Sequence, residues 1–167
     1  MDDSKLTSYT TITLLILRET RLERGVHQAQ VAEKCDKTPS AWAKIETGKT
    51  TFTMEMFYRV CAALSTQPSV VMTAVERYGT LLSQQGWVVL TKQLESEDQL
   101  LSEAHEYYAS AGFKARVPLS GWGHSVTALN SPINNFDGTI NIVDVFRFAL
   151  DEDFKEQQLN YKPIEWV

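Results

Sequence analysis

Cysteine, glycine and proline are scarce in this chain, and no stretch of it is long and apolar. The two cysteines, Cys35 and Cys61, among 167 residues are too few for a disulfide framework or, by themselves, for a four-ligand zinc site. Apolar runs such as Leu14–Leu17 fall far short of the ~20 residues a membrane-crossing helix needs. The start, MDDSKLTSYT, lacks a basic region followed by an apolar stretch, so no secretory signal is expected. No Gly-x-Ser-x-Gly motif, phosphate loop or partnered carboxylate pair is present, and His27, His105 and His124 show no ligand spacing. The chain is therefore expected to be no enzyme, to carry no metal or cofactor, and to work in the cytoplasm away from the membrane. No repeat and no low-complexity segment is found. With 43% hydrophobic and 22% charged residues, the chain can build a core.

An excess of positive charge is also missing. The net charge is −5, which taken alone argues against nucleic acid, since phosphate binding needs clustered Lys and Arg. The total hides an asymmetry. Residues 1–80 carry a net charge of +1 and residues 81–167 carry −6. The two halves can have different tasks.

Residues 1–8 are polar and expected to be frayed. Five helices are predicted over residues 9–85. The first runs from Tyr9 to Arg24, with Ile12, Leu14, Leu15, Leu17 and Leu22 at helical spacing and Gly25 as its stop. The second spans His27–Lys34. The third has Thr38 as N-cap and Pro39 at its first position, and it ends at Thr47-Gly48. Thr53 caps a fourth to Leu64, and Pro68 opens a fifth to Gln85. Leu15 and Leu22 exceed what one inward face needs and are expected either to be extra core or to pack on the second half or on a second copy of the chain.

The second half reads as a small α+β unit. Trp87–Leu90 is predicted as a strand. A helix follows Ser96 and stops at Gly112. Phe113–Leu119 alternates weakly, as an edge strand would with Pro118 in it. Residues 120–138, which include Gly121-Trp122-Gly123-His124, read as loop with at most short strands. Asn141 and Asp144 suggest a capping box for a helix near 142–150, although the apolar pattern there also fits a strand.

Residues 17–64 carry the functional signal. A short helix with a polar start (Gln28), a small crossing residue (Ala32), a tight turn at Cys35-Asp36-Lys37 and a second short helix follow in order. The second helix has an apolar stripe (Trp42, Ile45) and a polar face (Thr38, Ser40, Ala41, Lys44) suited to the major groove. The stretches Leu17–Arg21, Gly25–Lys34 and Thr38–Lys49, continued by Met54–Leu64, resemble the Cro/repressor-type (XRE-like) helix-turn-helix family over residues 9–78.

That resemblance implies a mainly α fold, a five-helix lambda-repressor-like DNA-binding domain at 9–85 followed by a small acidic α+β domain at 86–167. It implies an ion pair between Arg21 and Glu46, a phosphate contact at Gln28, base reading by Thr38, Pro39, Ser40, Ala41 and Lys44, and a backbone contact by Lys49. Three positions depart from the family pattern: His27 replaces the usual Ser or Thr cap, Cys35-Asp36 replaces a Leu-Gly turn, and Pro39 replaces a long polar side chain. Base readout is thereby narrowed to Ser40 and Lys44, because Pro39 and Ala41 offer only apolar contact. The expected function is a sequence-specific double-stranded DNA-binding transcriptional regulator, a repressor acting as a homodimer. An alternative is an antitoxin-like regulator whose acidic half captures a partner protein, with DNA binding kept for autoregulation. A third is a ligand sensor with Trp87, Phe113, Trp122 and Phe146 around a pocket in the second half.

Overall fold

The computed structural model of the protein describes residues 4–94, 97–116 and 126–165. The elements run β1 (Lys5–Ser8), α1 (Tyr9–Glu23), α2 (Gln28–Lys34), α3 (Pro39–Glu46), α4 (Met54–Ala63), α5 (Pro68–Gln84), β2 (Trp87–Leu90), α6 (Gln99–Ala109), α7 (Ala111–Lys114), β3 (Ile133–Asn134), β4 (Ile140–Asn141), α8 (Asp144–Leu150) and α9 (Glu152–Leu159). The class is mainly α. The first five helices lie where the sequence places them, and the predicted caps form: Thr38 Oγ1 accepts from Ala41 N at 3.1 Å and Thr53 Oγ1 from Met56 N at 3.2 Å.

α1 is the central rod. Every residue from Thr11 to Leu17 is buried, as are Glu19, Thr20 and Arg21. A helix buried around its circumference, with polar residues such as Thr11, Glu19 and Arg21 among those covered, must be enclosed on all sides. α5 and α3 pack on it, and α6 lies against it from the second half. The surplus leucine of the sequence is thus used within the chain: Leu15 is buried and Leu22 packs at the edge of the same core. That core is continuous, running from Ile12 and Val31 through Tyr78 to Leu100, Phe146 and Phe154. Cys35 and Cys61 are small members of it, and burial raises both thiol pKa values, Cys61 to about 11, so both stay protonated and inert.

The N-terminus corrects the expectation of a frayed tail. Lys5–Ser8 is a strand that pairs in parallel with β2, Lys5 opposite Trp87 and Ser8 opposite Leu90. Thr7 and Ser8 are fully buried. Asp98, the N-cap of α6, holds this corner together. Its carboxylate accepts from Thr7 Oγ1 at 3.0 Å, Thr11 Oγ1 at 2.6 Å and Leu101 N at 3.0 Å. Leu6 N donates to Gln99 Oε1 at 2.8 Å. Short polar residues are poor strand signals by themselves; here a distant carboxylate and a distant strand supply their partners.

The second half is more helical than expected. Asp98 caps α6, and Ser96, proposed as preceding that helix, lies outside the described residues. Phe113 belongs to α7, not to a strand, because Ser110 Oγ caps a new turn at Phe113 N (3.2 Å). Lys114 also belongs to α7, and Ala115 and Arg116 follow it outside any strand; residues 117–119 of that proposed strand, with Pro118, and the Gly121–His124 loop lie outside the described residues. Gly112 does not stop a helix. A side chain there would come within 2.8 Å of the Gln158 Cα, so the glycine lets α9 approach. Asn141 sits in β4 and caps nothing; α8 begins after Val143, whose N–H donates to the buried Tyr78 hydroxyl at 3.1 Å. The α9 helix has no counterpart in the sequence reading. Its residues are mostly polar, with Phe154 as its one buried residue.

α5 carries this second layer. Tyr78 stacks on Phe146 with ring centroids 4.0 Å apart, and its hydroxyl also meets Ser131 Oγ. Arg77 donates to the carbonyls of Leu129 at 2.8 Å and Ser131 at 3.2 Å. On α1, Glu19 is fully buried and takes Tyr108 Oη at 2.8 Å and Arg116 Nη2 at 3.0 Å. One turn on, Glu23 accepts from Ala128 N at 2.8 Å. Burial raises its pKa from 4.5 to about 7, opposed by that N–H and reinforced by Glu19.

Two outcomes are expected. Asp98→Ala strands two buried hydroxyls and a helix-start N–H and should lower stability by about 2–4 kcal/mol in urea unfolding; a loss under about 0.5 kcal/mol would contradict this account. The folded state holds the Glu23 proton to higher pH than the unfolded chain does, so stability should fall as pH rises from about 4.5 through about 7. Glu23→Gln should remove that part of the slope, measurable as Tm against pH.

Candidate nucleic-acid interface

α2 and α3 form a packed pair with a short turn between them. Val31, Ala32 and Cys35 are buried at their crossing. The turn reverses because Asp36 takes a left-handed conformation (φ 52°) and Lys37 N closes onto Ala32 O at 2.9 Å. At the start of α2, Gln30 Oε1 accepts from His27 N at 2.8 Å, which offsets the missing Ser or Thr cap.

α3 is two-faced. Trp42, Ile45 and Glu46 are buried. Thr38, Pro39, Ser40 and Lys44 are exposed, Ala41 is half-buried, and Lys49 beyond the helix is exposed. Lys34 and Lys37 are exposed on the preceding helix and turn. The residues proposed to read bases therefore share one open face. Arg59 is not available to that face: it pairs with Asp36 at 2.6 Å and Glu55 at 2.8 Å.

The buried face is held by one carboxylate. Glu46, 2% exposed, accepts from Arg21 Nη2 at 2.7 Å and Arg21 Nε at 3.1 Å. The expected ion pair is present and is one part of a larger cluster. Gln28 Nε2 donates to Glu46 Oε2 at 3.1 Å, and Trp42 Nε1 donates to the same oxygen at 2.9 Å. Arg18 Nε lies 3.4 Å from Glu46 Oε1. Arg21 Nη1 also reaches Val26 O at 3.0 Å, fixing the loop before α2. Trp42, of the predicted apolar stripe, is a buried packing and hydrogen-bonding residue. Gln28, expected on a phosphate, is part of this internal cluster and remains half-buried.

Arg18 was not singled out in the sequence, although its signal was there. Arg18 and Arg21 are three apart and share a helix face. The guanidinium of Arg18 lies over the Tyr108 ring, 3.6 Å from its centroid, a contact that only the tertiary fold creates.

The far end of α3 is braced from the second half. Gly48 ends the helix at φ +75°, and a side chain there would come within 2.8 Å of Leu101 on α6. His105 Nε2 lies 3.3 Å from Thr47 O. Gln93 accepts from Phe52 N and donates to Thr50 O, both at 3.3 Å. These contacts occupy the loop after α3 and leave its leading residues open.

Residues 16–73, about a third of the chain, match the family model of a helix-turn-helix domain. This segment is a helix-turn-helix domain of the XRE/Cro-like type, in accord with the geometry of α2 and α3. No match to the chain was found among curated proteins or solved structures. Among the described residues, no helix is long and apolar enough to cross a membrane.

Glu46→Ala leaves Arg21 with an uncompensated buried charge and Trp42 with an unpartnered N–H. It should destabilise the protein by about 3–5 kcal/mol, with Glu46→Gln losing less because it keeps an acceptor. Equal stabilities of all three proteins in urea titrations would contradict the role given to this carboxylate.

Proposed function

We propose that the protein is a transcriptional regulator that binds a specific double-stranded DNA sequence by laying the start of α3 in the major groove. What carries this reading is the two-faced α3: one side locked onto α1 and α2 through Glu46, the other presenting Thr38, Pro39, Ser40 and Lys44 to solvent. A rigid helix with a free polar edge matches what base readout requires. Ser40 and Lys44 supply hydrogen bonds to base edges, while Pro39 and Ala41 supply apolar contact to a thymine methyl. Thr38 contributes its hydroxyl at the helix start. Lys49 meets the phosphate backbone. Gln28 uses the second hydrogen of its amide on a phosphate, its first being held by Glu46.

The regulator acts in the cytoplasm as a homodimer on a pseudo-palindromic operator, with half-sites about 34–36 Å apart, and it represses. The small cationic excess of residues 1–80 favours pairing, because two copies double the phosphate contacts. Residues 9–85 contact DNA; residues 86–167 brace the end of α3 and supply the surface for pairing.

The experiment is selection of bound duplexes from a random pool with the full chain, followed by anisotropy titration of the selected site at several salt concentrations. Lys44→Ala should weaken binding and lower the salt slope by about 1. Lys162→Ala, an exposed lysine in the C-terminal segment, should leave both unchanged. No enriched sequence, or equal effects of the two substitutions, would overturn the reading.

A further inference from the structure

A cavity of about 770 Å³ opens between the start of α1, the loop leading into α4, and the outer face of α5. Its size lies in the range of small-molecule sites. It is not in the second half, where the aromatic residues suggested a pocket. There Trp87 and Phe146 are buried core, Phe113 packs against Tyr107 and Tyr108, and Trp122 lies outside the described residues. The aromatic and thioether wall belongs to the helix-turn-helix domain itself: Tyr9, Phe52, Phe57, Met54 and Met72.

The chemistry of the wall is one-sided. Among the described residues Glu76 is its one charged side chain, and it is exposed. Among the described residues Glu76 has no ion-pair or hydrogen-bond partner. The adjacent Arg77 is spent on the carbonyls of Leu129 and Ser131. The starts of α1 and α4 also border the cavity, but Ser8 and Thr53 already cap them, and Glu55 adds an acid to the first turn of α4. Tyr9 is held as a wall by contact with Gly79, where any side chain would come within 2.7 Å of the Tyr9 ring. Tyr9 and Met72 are each 39% exposed and Met54 is 54% exposed, so a large apolar lining faces water with a lone carboxylate beside it.

We propose that this cavity is a binding site for a small organic cation with an apolar body, such as a substituted ammonium. The apolar part fills the space between Phe52, Phe57 and Met72. The cation lies between the Tyr9 ring face and Glu76, which combines attraction to an aromatic face with pairing to a carboxylate. An anion would meet Glu76 without a compensating cation. Phe52 and Thr53 follow α3 closely in the chain, so an occupant touches the segment that sets the end of that helix.

The test is calorimetry on the full chain without DNA. The probes are 4-phenylbutyltrimethylammonium, neutral 5-phenylpentan-1-ol and anionic 5-phenylpentanoate. Saturable binding of the cation, tighter than both comparators, is expected. Glu76→Gln and Tyr9→Ala should each weaken it by about three- to tenfold, with unchanged circular dichroism for the exposed Glu76→Gln. Equal affinity for the three probes, tighter anion binding, no binding, or indifference to Glu76→Gln would overturn the proposal. So would sedimentation showing that a second copy covers the groove, with Tyr9→Ala dissociating it. The regulatory consequence rests on the DNA-binding reading: saturating cation should change affinity for the selected duplex by at least about fivefold. Because the calorimetry contains no DNA, failure of the site and failure of DNA binding are separate results. Unchanged DNA affinity with a filled site overturns the coupling alone.

Discussion

A carboxylate with 2% exposure organises the helix-turn-helix segment of this protein. Glu46, as a carboxylate in the interior, must be surrounded by donors, because burying one without partners is far too costly. Those donors come from separate elements: Arg21 from α1, Gln28 from α2 and Trp42 from α3 itself, with Arg18 of α1 adding an ion pair at 3.4 Å. Each must arrive with its own helix in place. The angle between α2 and α3, and the choice of which α3 face stays outside, follow from satisfying one acceptor group.

The constraint does not end at the helix-turn-helix domain. Arg18 lies between Glu46 and the Tyr108 ring, and Tyr108 donates to Glu19, which also holds Arg116. A line of alternating charges and an aromatic ring thus crosses α1 from the α3 end to residues of the second half. The Asp98 corner and the β1–β2 pairing make a second tie, and Leu101 against Gly48 a third. The second half thereby acts on α3 at its far end and in its buried layer while its leading residues stay open. The cavity bordered by Tyr9, Phe52 and Glu76 lies among α1, α4 and α5.

Local chemistry made the first five helices readable. Thr38-Pro39 and Thr53 are cap signals whose physics acts within three residues, and Asp36 can take the left-handed turn because its side chain is short and polar. The Arg21–Glu46 pair was also readable, through the resemblance that the motif spacing carries. Its extension to Arg18 was half-readable, from the shared face. Less was legible beyond residue 90. Polar α9 has too few apolar residues to announce a helix, and Asp151, accepting from Phe154 N at 3.0 Å, is the local device that starts it. Phe113 alternates as a strand would, yet Ser110 turns it into a helix start. Residues 1–8 misled because a strand of polar residues has meaning only beside its partner.

From the sequence alone came what short-range forces decide: the helix limits of the helix-turn-helix segment, its turn, its two-faced third helix and the charge of each half. The tertiary structure alone decided where the chain's distant groups meet. It seats Lys5–Ser8 beside Trp87–Leu90, sets Asp98 under Thr7 and Thr11, and places Glu76 beside an aromatic wall, unpaired among the described residues. The physical reason is range. A cap or a turn is satisfied by neighbours a few residues away, whereas a buried carboxylate, a parallel strand and a cavity are defined by partners about 90 residues off or on three separate helices.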